Sequence, residues 1–344
     1  MSTKVTFFGV RGSTPCSCDS SRRYGGNTSC VVVDNDGYPP IVLDLGTGLR
    51  FFGLEGNHPH PFNATALVSH LHWDHVQGIP FFGPLLTDES SLDLYGPVQE
   101  SGSLEATVRG FLSPPYFPVG IDDLPGQLNF HEVTPGSFEV PGATVHASWV
   151  PHVGPTLGYR IDCADASIAY VSDHQQPGTG SRKVDPAVLE LCEGVDLLIH
   201  DAQYDEFEFS MRSDWGHCTV AYAVEVAARC GAGTLALFHH DPSHSDTRID
   251  ELVGDATRIG ERLGVHDVVG ASEGLTICFD AADGTAVAGS PAATGAADLN
   301  GAAHTAPELQ GSDAAAASNG NGVVRSTNGS PVSSPVQTHL AHRR

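Results

Sequence analysis

The sequence predicts an α/β fold in which two β-sheets pack face to face with helices on the outside. Three observations carry this. Strand-like runs dominate the front of the chain, a second series of strand runs follows from residue 144, and helical apolar spacing appears between only some of them. A purely parallel, doubly wound sheet calls for helices throughout, and the front half does not supply them.

In chain order, residues 5–10, 29–33, 41–45 and 66–69 are β-branched or apolar and bounded by Gly, Asn or Asp turns. Further strands are predicted at 92–95, 144–150, 156–161, 167–171, 197–200 and 234–239. Residues 184–192 and 219–230 have helical spacing, opened by Asp185-Pro186 and Thr219, and 249–263 follow with Gly264 just beyond. From residue 281 the chain turns to Ala, Gly, Ser, Asn and Pro with few large apolar residues, which cannot repay the entropy of ordering. A folded domain is therefore expected over 1–280 and a disordered tail over 281–344.

The 344 residues carry 41 acidic against 17 basic side chains, a formal charge of -24. That balance argues against a long nucleic acid as partner, because such affinity rests on Lys and Arg neutralising phosphates. A small anionic substrate stays open if a metal supplies positive charge. The N-terminal apolar run is too short for a signal segment and no stretch approaches a membrane span, so a cytoplasmic protein without membrane contact is expected. Eight scattered cysteines read as reduced thiols; Cys16 and Cys18, spaced C-S-C, are candidates for an accessory metal or redox role.

The densest chemical signal is SHLHWDH, residues 69–75, directly after a strand-like run. In an extended stretch His70 and His72 point to one side, and a turn at Trp73 swings Asp74 and His75 toward a second point, so one loop can serve two metals.

H-x-H-x-D-H followed by Gly78 resembles the signature loop of the metallo-β-lactamase superfamily, and the similarity spans about residues 4–279, nearest to the phosphodiesterase branch that includes tRNase Z and the phosphoribosyl cyclic phosphodiesterases. The resemblance implies a four-layer αββα sandwich with a dinuclear centre at one edge. By position, VPHVGPTLGYRI offers His152, IAYVSDHQQ offers Asp173, and LALFHHDP offers His239, preferred over His240 because it directly follows the strand. The implied ligand set is His70, His72 and His152 for one ion, Asp74, His75 and His239 for the other, with Asp173 bridging. Imidazole and carboxylate without thiolate suit Zn²⁺ first, with Mn²⁺ or Fe²⁺ also compatible.

Two such ions activate a water and clamp both oxygens of an in-line displacement, which suits phosphate esters. DLLIHDAQYDEFE and DWGHCTVAYAVEVA resemble tRNase Z segments in which an acidic residue orients a histidine, placing Asp201 and His217 in those roles. The expected reaction is attack of a metal-bound hydroxide on phosphorus, with Asp74 or Asp173 positioning the water and His217 assisting the leaving group; His200 is a supporting or packing residue. Only twenty residues separate His152 from Asp173, leaving no room for the inserted arm of long-arm tRNA-maturing members. A cyclic nucleotide or related cyclic phosphate is the expected substrate. Hydrolysis of thioesters or lactones and RNA processing of the tRNase Z type are the alternatives.

Arg11, Arg22, Arg23 and Asn27 are candidates for phosphate or sugar contacts, with plain glycine-rich turns and solvated arginines as the equal alternative. The Pro- and aromatic-rich stretch 80–142 is a candidate lid or rim over the site, where plain packing is the preferred role of Phe111, Tyr116 and Phe117 and stacking of a base the other. The resemblance also implies a homodimer.

Overall fold

The computed structural model describes residues 2–54, 58–280 and 287–289. Strands β1 (Ser2–Gly9), β2 (Cys30–Asn35), β3 (Ile41–Leu43), β4 (Asn63–Leu67), β5 (Ser91–Pro97) and β6 (Gln127–Val133) run side by side in a first sheet. Strands β7 (Gly136–Val140), β8 (Ala143–Trp149), β9 (Leu157–Asp162), β10 (Ser167–Val171), β11 (Leu197–Asp201), β12 (Thr234–Phe238) and β13 (Asp267–Gly270) form a second, ordered β13-β12-β11-β10-β9-β8-β7. The chain then returns to the first sheet, where β14 (Thr276–Asp280) pairs antiparallel with β1 and β15 (Val287–Gly289) with β14.

Period-2 alternation explains why the central strands are continuous apolar runs. In β11, Leu197 and Ile199 face the core between the sheets while Leu198 packs outward. In β12, Ala236 and Phe238 face inward and Leu235 and Leu237 outward. Both faces are covered, so both sets are apolar. The outer face of the first sheet is covered by α1 (Gly48–Leu54) and α2 (Leu104–Phe111) through Leu49, Phe52, Leu104 and Val108. The second sheet is covered by α3 (Pro186–Leu191), α5 (Val220–Cys230) and α6 (Asp246–Leu263), with the short α4 (Glu206–Met211) in the connection after β11. The result is the four-layer sandwich.

Helix boundaries follow their caps. Asp185 accepts from the Ala187 N–H ahead of α3, Thr219 from the Tyr222 N–H ahead of α5, and Gly264 closes α6 in the left-handed region.

The expected rim needs correction. The stretch 80–142 mostly builds scaffold: it supplies β5, α2, β6 and β7, because Leu92, Leu94, Leu104 and Val108 bury in the outer core of the first sheet. Phe111 and Phe117 pack against that same cluster, Phe117 edge-on to Phe81, while Tyr116 is exposed. Val287–Gly289, inside the expected tail, pair as a strand; the remainder of 281–344 lies outside the described residues. No helix among the described residues is long and apolar enough to cross a membrane.

Candidate metal centre and active site

Side chains converge where strands of both sheets end. The loop after β4 carries His70 to His75, and its WDH segment turns as a short 3-10 helix, Trp73–His75. The segments after β8, β10 and β12 bring in His152, Asp173 and His239, and Asp201 closes β11. Strand ends are rigid, so ligands from distant parts of the chain can meet with fixed geometry.

Two triplets form, His70/His72/His152 and Asp74/His75/His239, each with its ligating atoms within 4.8 Å of one another. Asp173 faces both. Its Oδ1 lies 3.3 Å from His75 Nε2 and 3.4 Å from His239 Nε2, and its Oδ2 lies 3.8 Å from His70 Nε2 and 3.6 Å from His152 Nε2. Around the second point, His75 and His239 Nε2 are 3.3 Å apart and each is 3.2 Å from Asp74 Oδ2. A tetrahedral site with bonds near 2.0–2.1 Å has ligand atoms about 3.3–3.4 Å apart. The second point matches that spacing; the first is less regular, with His72 Nδ1 2.8 Å from His70 Nε2 and 3.3 Å from His152 Nε2.

Outward hydrogen bonds settle which nitrogens face the centre. His75 Nδ1 donates to Asp44 Oδ2 at 2.7 Å, His152 Nδ1 to the Gly216 carbonyl at 2.7 Å, and His239 Nδ1 to Gln203 Oε1 at 3.1 Å. Ser69 gives its one proton to Asp44, so at 3.0 Å it accepts from His70 Nδ1. Each of these rings then turns a bare lone pair inward. Lone pairs facing one another at 3.3 Å share no proton, and a cation is the partner that satisfies them all. The donor set therefore fits divalent ions.

The electrostatics agree. Burial, above all, holds His70, His72 and His152 below the usual imidazole range, in the neutral form that binds metals. Burial opposes charge on His75 too, but Asp74, Asp173 and Asp44 outweigh it and raise its pKa, the mark of a place that calls for positive charge. Burial likewise works against ionised Asp74 and Asp173, yet the facing imidazoles hold both carboxyls well below their ordinary range.

His217 is buried beside the triplets. Its Nδ1 donates to Asp201 Oδ2 at 3.0 Å and lies 3.7 Å from Asp173 Oδ2. Burial pulls its pKa down, but Asp201, then Asp173 and Asp74, leave it raised. Asp201 is itself held by the backbone N–H groups of His174 and Gln203. His217 also comes within 4.8 Å of Asp173 and His239 at the ligating atoms. His200 lies beneath, bonded to His174 and to the Asp201 carbonyl.

His240 is not part of the cluster: its Nε2 donates to the Ala271 carbonyl at 2.9 Å, on the other side of the chain. The basic candidates are also placed elsewhere. Arg11 is fully buried and ties the carbonyls of Gly25, Asp241 and His244 together, Arg22 pairs with Asp19, Arg23 with Asp250, and Asn27 with Glu273. Cys16 and Cys18 belong to none of the metal-capable groups among the described residues.

Sequence reasoning missed the supporting shell. Asp44 is buried, holds φ at +57°, and accepts from His75, Tyr170 and Ser69 at 2.7, 2.7 and 2.8 Å. Ser13 (φ +62°) donates its N–H to Asp74 Oδ2 at 2.7 Å, and His239 itself sits at φ +58°. Left-handed backbone at three non-glycine residues around one centre is strain held by the surrounding structure. Gly216 (φ +95°) is there for a second reason: a Cβ would stand 2.4 Å from the His152 ring. Replacing Asp44 with Asn is expected to weaken divalent-ion affinity about 10- to 100-fold, as loss of an orienting partner does; a competitive chelator titration showing unchanged affinity would contradict the orienting role.

Comparison with known proteins adds a lineage to this geometry. The sequence profile described as Beta-lactamase superfamily domain matches residues 46–240. A ribonuclease Z of Haloarcula marismortui is 26% identical over 309 residues, covering 74% of this chain and 91% of its own. A diphosphatase of the PhnP family superposes with a TM-score of 0.59 at 20% identity, covering 81% of this chain and 98% of that one. The short form of human tRNase Z superposes with a TM-score of 0.57 at 22% identity, covering 80% and 99%. These two likenesses establish the fold. Since the profile takes in more than half of the chain, the protein belongs to the beta-lactamase superfamily, as a metallo-β-lactamase-fold hydrolase.

Proposed function

We propose that the chain is a dinuclear metal-dependent phosphodiesterase acting on a small phosphodiester, in the first place a cyclic nucleotide. The observation that carries this is the His217–Asp201 pair, with His217 Nδ1 3.7 Å from Asp173 and its ring on the wall of the cleft that Asp74 also lines. Thioester hydrolysis releases a thiolate that departs without help, whereas expelling an alkoxide from phosphorus calls for a proton donor.

His70, His72 and His152 would hold one ion, Asp74, His75 and His239 the other, with Asp173 between them. The chemistry such ions supply when bound is Lewis-acid polarisation of phosphoryl oxygens and a water made acidic enough to act near neutral pH. Zn²⁺ is the first choice because the second point has tetrahedral spacing; Mn²⁺ favours oxygen-rich, higher-coordinate sites. Asp74, fixed by the Ser13 N–H, would align the attacking water. His217, its Nδ1–H committed to Asp201, would give the leaving oxygen a proton from Nε2.

Three features favour a small substrate. The described residues lining the cleft include no Lys or Arg. The formal charge of -24 repels a polyanion. The interval between His152 and Asp173 is taken up by the β9–β10 hairpin, with no inserted arm. The eight unpaired cysteines support a reducing, cytoplasmic setting. A second reading, an RNA-processing nuclease, is favoured by the ribonuclease Z name of the Haloarcula relative.

Metal-loaded protein assayed on bis-p-nitrophenyl phosphate, 2′,3′- and 3′,5′-cyclic nucleotides, a 3′-extended tRNA precursor, thioesters and lactones tests this. Cyclic-nucleotide turnover is expected. Precursor cleavage without it selects the second reading, and ester turnover with no phosphodiester turnover overturns both.

A further inference from the structure

The chain has three tryptophans, and two of them, Trp73 and Trp215, line the same cleft of about 500 Å³ that opens onto His72, Asp74, Asp173 and His217. They are 70% and 61% exposed. Large apolar rings bury whenever packing allows it, so two of them left in water at the mouth of one site need a reason.

Neither ring sits on loose chain. Trp73 opens the 3-10 turn that carries Asp74 and His75, and its carbonyl accepts from the N–H groups of Val76 and Gln77. Trp215 donates its N–H to the Arg212 carbonyl at 3.0 Å. The Arg212 guanidinium lies over the Trp215 ring at 5.6 Å and over Tyr204 at 5.3 Å, with Asp241 at 3.5 Å. A cation–π contact anchored from beneath holds the outer ring in place.

We propose that Trp73 and Trp215 form an aromatic lip that takes the nucleobase of the substrate by stacking while its phosphodiester lies against the histidine-aspartate cluster. This rests on the phosphodiesterase reading and names the substrate class. The cleft has the size of a small-ligand site, which runs to about 300–1,000 Å³. It continues directly into the cluster, so a ring on the lip and a phosphate at Asp173 belong to one small molecule. With no Lys or Arg among the described residues of its lining, the cleft offers no side-chain cation for a second phosphate, and flat π faces are what remains for binding. Stacking tolerates every base, so the lip selects nucleotides over base-free phosphodiesters with little choice among bases.

The test compares each 2′,3′-cyclic nucleotide with methyl riboside 2′,3′-cyclic phosphate, which keeps the sugar and the ester and lacks the base. Trp73→Ala and Trp215→Ala are each expected to lower the ratio of kcat/KM for nucleotide over base-free ester about 10-fold, with Trp73→Phe and Trp215→Tyr restoring most of it. An equal loss on both substrates, or an unchanged ratio, overturns the proposal. A readout independent of turnover uses metal-loaded protein in a Trp149→Phe background, where adenosine 5′-monophosphate is expected to quench the remaining tryptophan fluorescence and ribose 5-phosphate is not. Quenching in protein that hydrolyses no phosphodiester would leave the lip standing and remove the phosphodiesterase reading. Equal quenching by both probes, or a dimer that the alanine variants dissociate while the ratio holds, overturns the lip.

Discussion

Asp173→Ala is expected to lower kcat/KM for a phosphodiester probe by about 10³-fold or more and to leave the protein with fewer than two equivalents of divalent metal. Its two oxygens serve different triplets, Oδ1 toward His75 and His239, Oδ2 toward His70 and His152. With an ion in each triplet, one substitution would take a ligand from both and remove the negative charge between them. Stabilisation by metal ions of several kcal/mol at the transition state corresponds to a loss of that order. Elemental analysis after gel filtration, run beside kinetics, checks both halves. A variant with two full metal equivalents and activity within tenfold of the parent would show that Asp173 does not bridge.

His217→Ala is expected to behave differently: kcat for a cyclic nucleotide falls about 10²- to 10⁴-fold while metal content stays intact, because general-acid help is worth that much. The loss should be far smaller on bis-p-nitrophenyl phosphate, whose leaving group departs without a proton. His217 also lies within ligating distance of Asp173 and His239, so a variant that loses metal, or one equally crippled on both substrates, would make it a ligand instead. Asp201→Asn should share the leaving-group dependence in weaker form, since Asp201 would act on the reaction by holding the His217 ring.

The parts of the site that were legible are those whose chemistry is dense or whose place in the chain is telling. His70, His72, Asp74 and His75 fall within six positions, and His152, Asp173 and His239 each follow a strand run, where the structure brings them together. Asp44 had the same signal, an acidic residue closing the apolar stretch Ile41–Leu43. Its importance shows only once the fold carries His75 and Tyr170 to it from 31 and 126 residues away. Ser13 and Gln203 carry no local signal at all, because what they contribute is one hydrogen bond each across a long interval. Arg11 illustrates the opposite error: a cation in a glycine-rich loop looks available for phosphate, yet it is consumed by three backbone carbonyls. Among the strands, β6 and β7 escaped notice because they are half-exposed edge strands whose alternation is short, Leu128 and Phe130 in one and Phe138 and Val140 in the other, set among polar residues.

The two triplets also draw on both halves of the sandwich. His70, His72, Asp74 and His75 hang from the first sheet, while His152, Asp173 and His239 hang from the second. Ions seated among them would act as rivets through the open edge of the two layers, and by mass action any ligand of the native state adds RT ln(1 + [L]/Kd) to stability, about 4 kcal/mol at a thousandfold excess over Kd. Chelation should then appear in the melting temperature as well as in the assay. The same atoms that are arranged for hydrolysis would set how firmly the sheets stay closed.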